Sequence, residues 1–131
     1  AISYSITKRH NVPHGHAVGL TIGSFFIINS RKDLPLNDSR GREHVDAIMT
    51  DLFCLFSCNS GLQCAEKINE IMSLIGLETD ATQLGLISEG HIDFIVDSVN
   101  LERLSNNPVA VSNTILKFAV ESNYRELRDT L

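Results

Sequence analysis

Little in this chain is made for disulfides, nucleic acid or a bilayer. Its three cysteines, Cys54, Cys58 and Cys64, are an odd number and cannot all pair, so no disulfide framework is expected. Free thiols of this kind suit a reducing cytoplasm. Basic residues never run beyond a pair, Lys8-Arg9 or Arg31-Lys32, and 11 Lys and Arg stand against 16 Asp and Glu for a net charge of −5. That balance excludes the clustered cations of a nucleic-acid surface. The most apolar stretch, Ala17 to Ile28, is interrupted by Thr21 and Ser24 and is shorter than the ~18 residues a membrane span needs. It reads as a buried helix, and no membrane partner is expected. The opening Ala1-Ile2-Ser3-Tyr4 has neither the charged start nor the apolar run of a secretory leader. Tryptophan is absent, and so are the G-x-S-x-G, P-loop and G-x-G-x-x-G motifs that would announce a nucleophile elbow, a phosphate cradle or a dinucleotide turn.

What remains is an apolar content of 43% in 131 residues. That is enough for one domain that buries about two-thirds of its unfolded surface without metal or disulfide staples. Apolar spacing is helical nearly throughout. Val45, Ile48, Met49, Leu52 and Phe56 form one stripe and Ala65, Ile68, Met72 and Ile75 another, both predicted to be core faces. Ser60 with Gln63 has capping-box spacing, and Gly76 stands where the second helix needs a left-handed cap. Asp80 with Gln83 predicts a short helix start. Ser88 opens a helix carrying Ile92, Ile95, Val96 and Val99, and Ser112 opens one carrying Ile115, Leu116 and Ala119. Loops fall from Asn29 to Gly41 around Pro35 and from Ser105 to Val111 around Pro108. No strand pair is evident, so the expected architecture is an all-α helical bundle.

Chemistry-bearing residues crowd the start: Tyr4, His10, His14 and His16, with Pro13 and Gly15 flanking His14. Neutral imidazole is the commonest transition-metal ligand, and a His held at a loop-to-helix junction is well placed to aim into a cleft. Spacing alone leaves two readings open, a metal role or loop histidines bonded to nearby backbone. His44 and His91 lack a partner at ligand spacing and read as surface or core-edge residues. The C-x3-C-x5-C cysteines match no zinc pattern and read as buried small hydrophobes. Gly15, Gly19 and Gly23 share one helix face, which admits either a closely packed helix or a ligand.

As a string, Ala1-Ile2-Ser3-Tyr4-Ser5-Ile6-Thr7 followed by Asn11-Val12-Pro13-His14-Gly15-His16-Ala17-Val18 resembles the C-terminal signature of the iron-containing (group III) alcohol dehydrogenases. Pro-His-Gly-x-x-x-(Ala/Gly) is its most specific part. Ser98 to Pro108 is similar to the family's late segment ahead of its closing helix, and the likeness spans essentially the whole chain. The resemblance implies the all-helical C-terminal domain of the dehydroquinate-synthase-like fold. In that architecture an N-terminal α/β domain binds NAD(P), and Fe2+ or Zn2+ sits in the cleft between the two. The family's ligands are one Asp and three His, and His14 matches the last of them. The preceding His would fall one position ahead of Ala1, and the other two lie further upstream.

Residues 1–131 are therefore expected to be one helical domain of a longer protein whose missing partner is the nucleotide-binding domain. The parent would transfer hydride between NAD(P) and a small alcohol or aldehyde. Tyr4 stands where many members carry a non-ligand His near the reacting carbon, leaving Tyr4, His10 and His16 as candidates for a proton relay. A Tyr-bearing opening resembles a subgroup that includes reductases of phosphonate-bearing aldehydes. By itself the chain is expected to fold, to bind neither iron nor zinc tightly, to oxidise no alcohol, and to self-associate through apolar surface left bare around His14. Two alternatives stand: a non-catalytic helical interaction domain, and the glycerol-dehydrogenase and dehydroquinate-synthase relatives, which differ in ligands and chemistry.

Overall fold

Pro13 lacks an amide hydrogen and bars the α conformation from the residue before it, so helical periodicity that starts at the head of the chain has to break there. In the computed structural model, which describes residues 2–86 and 89–121, α1 (Ile2–His10) ends at that break. Asn11 turns left-handed with φ 54°, and Pro13, at φ −52° and ψ 140°, leads into α2 (His14–Ser30). The remaining helices are α3 (Arg42–Leu55), α4 (Gly61–Leu74), α5 (Glu89–Asp97), α6 (Leu101–Leu104) and α7 (Asn113–Glu121). Helix accounts for 64% of the described residues, and strand pairing among them is confined to one isolated bridge between Leu36 and Val109. The all-α expectation holds at that level.

Capping accounts for the ends of α4. The Ser60 hydroxyl accepts from the Gln63 amide at 3.2 Å, and the Gln63 side chain reaches back to the Asn59 amide at 2.7 Å. At the other end Gly76 sits at φ +79° while the Leu77 and Gly76 amides donate to Met72 and Ser73 carbonyls at 2.9 and 3.0 Å, closing the last turn. Ser112 caps α7 through the Ile115 amide at 3.3 Å. The Asp80 signal leads elsewhere: residues 81–85 form successive turns, with the Asp80 carboxylate accepting from the Thr82 amide at 2.7 Å. Ser88, expected to open α5, lies outside the described residues.

Because α2 is apolar on nearly every side, it belongs in the middle. It packs against α1, α3, α4 and α7. Ile6 of α1, Leu20 and Ile28 of α2, Ile95 of α5 and Leu116 of α7 are fully buried in one shared core, and each contributes ~1.5–3 kcal/mol by leaving water. A second cluster joins Phe26, Val45, Met49 and Cys64, with Phe56 edge-on to Phe26 at 5.4 Å. Two members of the expected stripes stay outside: Ile48 and Ile75 are 47% and 66% exposed, because α3 and α4 bury narrower faces than their sequences offer.

The glycine face of α2 meets α4 only in part. A Cβ on Gly19 would lie 2.8 Å from the Met72 sulfur, whereas Gly15 faces open space. At Gly61 α4 lies tightly against α2, where a Cβ would be 2.4 Å from the Phe26 carbonyl oxygen. The two proline loops bind each other. The Asn37 amide donates to Pro108 at 2.9 Å and the Ala110 amide to Pro35 at 2.8 Å, while Asn29 and Asn107 exchange side-chain hydrogen bonds at 3.1 and 2.8 Å.

Candidate functional site

The break at Pro13 sets the stage for the histidines. His14 is the first residue of α2, exposed at its start, and its side chain makes no hydrogen bond among the described residues. His16, half a turn on, is held by its Nε2 at 2.6 Å from the Glu78 carbonyl oxygen. That bond needs the proton on Nε2, which removes this nitrogen from ligation while it lasts. Tyr4 is 64% exposed on α1. His10 lies six residues further along the same helix, ~120° away around it, and faces inward. No hydrogen bond or ring contact joins Tyr4, His10 and His14 among the described residues. Nor do three His, Cys, Asp or Glu side chains converge there as a metal cage.

What the fold does bring together is His10 and His91. Their rings meet edge to face, with centroids 5.0 Å apart. His91 is anchored through Nδ1, 3.2 Å from the Gly85 carbonyl. Among the described residues the His10 Nε2 is buried with no hydrogen-bond partner, as is the Thr7 hydroxyl one turn back. Burial first, then the neighbouring His91 and Arg9 charges, lower the His10 pKa below its ordinary 6.5. Arg9 itself lies over the Phe94 ring at 4.1 Å. Nothing local announces the pair. The two histidines are 81 positions apart, and only the packing of α1 on α5 joins them.

His44 is half-buried at the start of α3, in keeping with a core-edge residue. The cysteines divide. Cys64 is buried, as expected of a small hydrophobe, and desolvation, then the Cys58 thiol beside it, push its pKa up to about 11. Cys54 is exposed instead, because α3 turns that flank to solvent.

One surface feature shares His14's end of the bundle. Helices α2 and α4 run antiparallel, with Gly61 against Phe26, Met72 against Gly19 and the Glu78 carbonyl against His16. Leu74 and Ile75, just past Met72, are 78% and 66% exposed, and Ile71 one turn earlier is also exposed. The end that presents His14 thus presents bare hydrocarbon as well. No helix among the described residues is long and apolar enough to cross a membrane. Compared with known proteins, the chain matches no family model, no curated protein and no solved structure.

Proposed function

We propose that this chain is the helical C-terminal part of a metal-dependent, NAD(P)-linked alcohol dehydrogenase or aldehyde reductase acting on a small alcohol or aldehyde. The supporting observation is the placement of His14 in the Pro13-His14-Gly15 segment. It is an exposed imidazole without a hydrogen-bond partner among the described residues, at a loop-to-helix junction, on the end of the bundle that also exposes Leu74 and Ile75. His14 fits as one nitrogen donor to Fe2+ or Zn2+, the remaining ligands and the nucleotide domain being supplied by the preceding part of the protein. When bound, such an ion acts as a Lewis acid toward the substrate oxygen. Pro13 fixes the entry into α2 and so limits the directions His14 can take. Leu74 and Ile75 form an apolar wall that a second domain would cover, keeping water from that end. The exposed Tyr4 hydroxyl is the first candidate to exchange a proton with solvent, ahead of the inward-facing His10.

The test is made on the full-length parent. Its reading frame is expected to place an Asp-x-x-x-His segment upstream and a His directly before Ala1. In the purified enzyme, His14→Ala is expected to abolish both bound metal and NAD(P)-linked turnover, while His44→Ala and His91→Ala leave both near wild type. Undiminished metal by elemental analysis in His14→Ala would overturn the assignment and leave a non-catalytic interaction domain as the reading.

A further inference from the structure

One cleft of the described chain is lined by none of the histidines. It occupies about 410 Å³ between the first turn of α1, the middle of α2 and the segment from Arg103 to Pro108. A volume of this order is what small-molecule sites use. Its walls are apolar where the helices contribute, with Ile2, Val18, Ile22 and Phe25, and polar at the rim, with Ser3, Arg103 and Asn106. The cleft is preformed. Its far wall is held by the exchanged Asn29 and Asn107 amides, by a third bond from Asn107 to the Val109 carbonyl at 2.8 Å, and by the Pro108 carbonyl, which accepts from Asn37.

Two lining groups are already committed: the Thr21 hydroxyl donates within its own helix, and Asn107 is spent on the loop. Arg103 is not. It is the one charged residue of the lining, exposed at the mouth, and it forms no ion pair among the described residues, although the chain as a whole is acidic. A guanidinium presents a planar fork of donors that matches an oxyanion in two places at once. Beyond it the hydrocarbon continues. Ile22 and Phe25 also border a second, more apolar cavity of about 250 Å³ that reaches Phe26, Met49 and Leu52.

We propose that this cleft binds a small amphipathic organic anion, its oxyanion head on Arg103 and its hydrocarbon tail along Ile22 and Phe25 toward the second cavity. The head is a carboxylate or a phosphonate, since both offer paired oxygens to the fork. The inference uses neither His14 nor a metal, so it stands or falls separately from the dehydrogenase reading.

Isothermal titration of the 131-residue chain with octanoate, octylphosphonate, octanol and inorganic phosphate tests it. At least one of the two amphipathic anions is expected to bind, and the tighter of them identifies the head. Octanol is expected to bind at least tenfold more weakly, and phosphate without a tail not measurably. Arg103→Gln, a change at an exposed position, is expected to weaken the anion at least tenfold while leaving octanol unchanged. Ile22→Glu, at a site already 40% exposed, is expected to remove both, with the helical circular dichroism spectrum preserved in each variant. Octanol binding as tightly as octanoate, Arg103→Gln binding like the parent, or no binding of either anion would each overturn the proposal.

Discussion

Three glycine-to-alanine changes probe the crossing of α2 and α4, and the structure orders them before any measurement. At Gly61 an added Cβ would stand 2.4 Å from the Phe26 carbonyl oxygen, 2.6 Å from the Ser30 hydroxyl and 2.8 Å from the Ile27 Cα. Two of those atoms are backbone, so relief requires α4 to back away from α2 by the better part of an ångström along their main contact. Overpacking of this kind costs ~1–3 kcal/mol, and the upper half of that range is expected. At Gly19 the obstacle is the end of a methionine, with Met72 Sδ at 2.8 Å and Cε at 3.1 Å. A thioether chain swings aside cheaply, while alanine gains up to ~1 kcal/mol of helix propensity over glycine. The two effects offset each other, and Gly19→Ala should change stability by less than ~1 kcal/mol. Gly15 has nothing within 4 Å. There alanine should stabilise, by less than the ~1 kcal/mol of an interior site because Gly15 is only the second residue of α2. Urea unfolding of the three variants, with the slope checked for constancy, reads the order directly. If Gly61→Ala unfolds at the parent's midpoint, or Gly15→Ala loses as much as Gly61→Ala, the helix crossing described here is wrong.

Two further outcomes can be checked on the same preparation, beside those given for His14 and Arg103. Because burial, then His91 and Arg9, lower the His10 pKa from 6.5, the folded state prefers the neutral ring. The stability His10 contributes is then present above pH ~6.5 and is lost as pH falls below it. Asp33 and Asp38, held down to about 2 by bonds from Arg31 and Arg40, add their own loss only in far more acid solution. Urea midpoints at pH 7.5 and 5.5 should therefore differ in the parent and converge in His10→Gln, and an unchanged difference in the variant would refute the role of the pair. Asn107→Ala deletes three side-chain hydrogen bonds at the joint of the proline loops. At ~0.5–1.5 kcal/mol each, the expected loss by thermal or urea unfolding is about 2–4 kcal/mol, and a loss below ~0.5 kcal/mol would mean the loops are held by something else.

Local rules carried far in this chain. Helix periodicity, the Ser60, Gly76 and Ser112 signals, and the break at Pro13 are short-range effects. Backbone sterics and first-turn hydrogen bonds depend on the few residues around them, so the all-α class, both ends of α4 and the start of α7 were legible from the string, whereas α1 and α6 were not read from it. His14 could likewise be placed at a helix start from Pro13 and Gly15 alone. Tertiary packing decided the rest. Gly19, Gly15 and Gly61 are the same residue type, yet one meets a movable sulfur, one meets nothing and one meets a carbonyl, because only the crossing of two helices determines what lies beyond a Cα. Ile48 and Ile75 fit their stripes perfectly well and remain in solvent, since periodicity marks a face that can be buried and the neighbouring helices determine how much of it is. The contact of His10 with His91 and the meeting of Arg103 with Ile22 and Phe25 join positions about 80 apart. No spacing rule spans such a distance, and these groups became neighbours only when α1, α2, α5 and the Pro108 loop closed around one core.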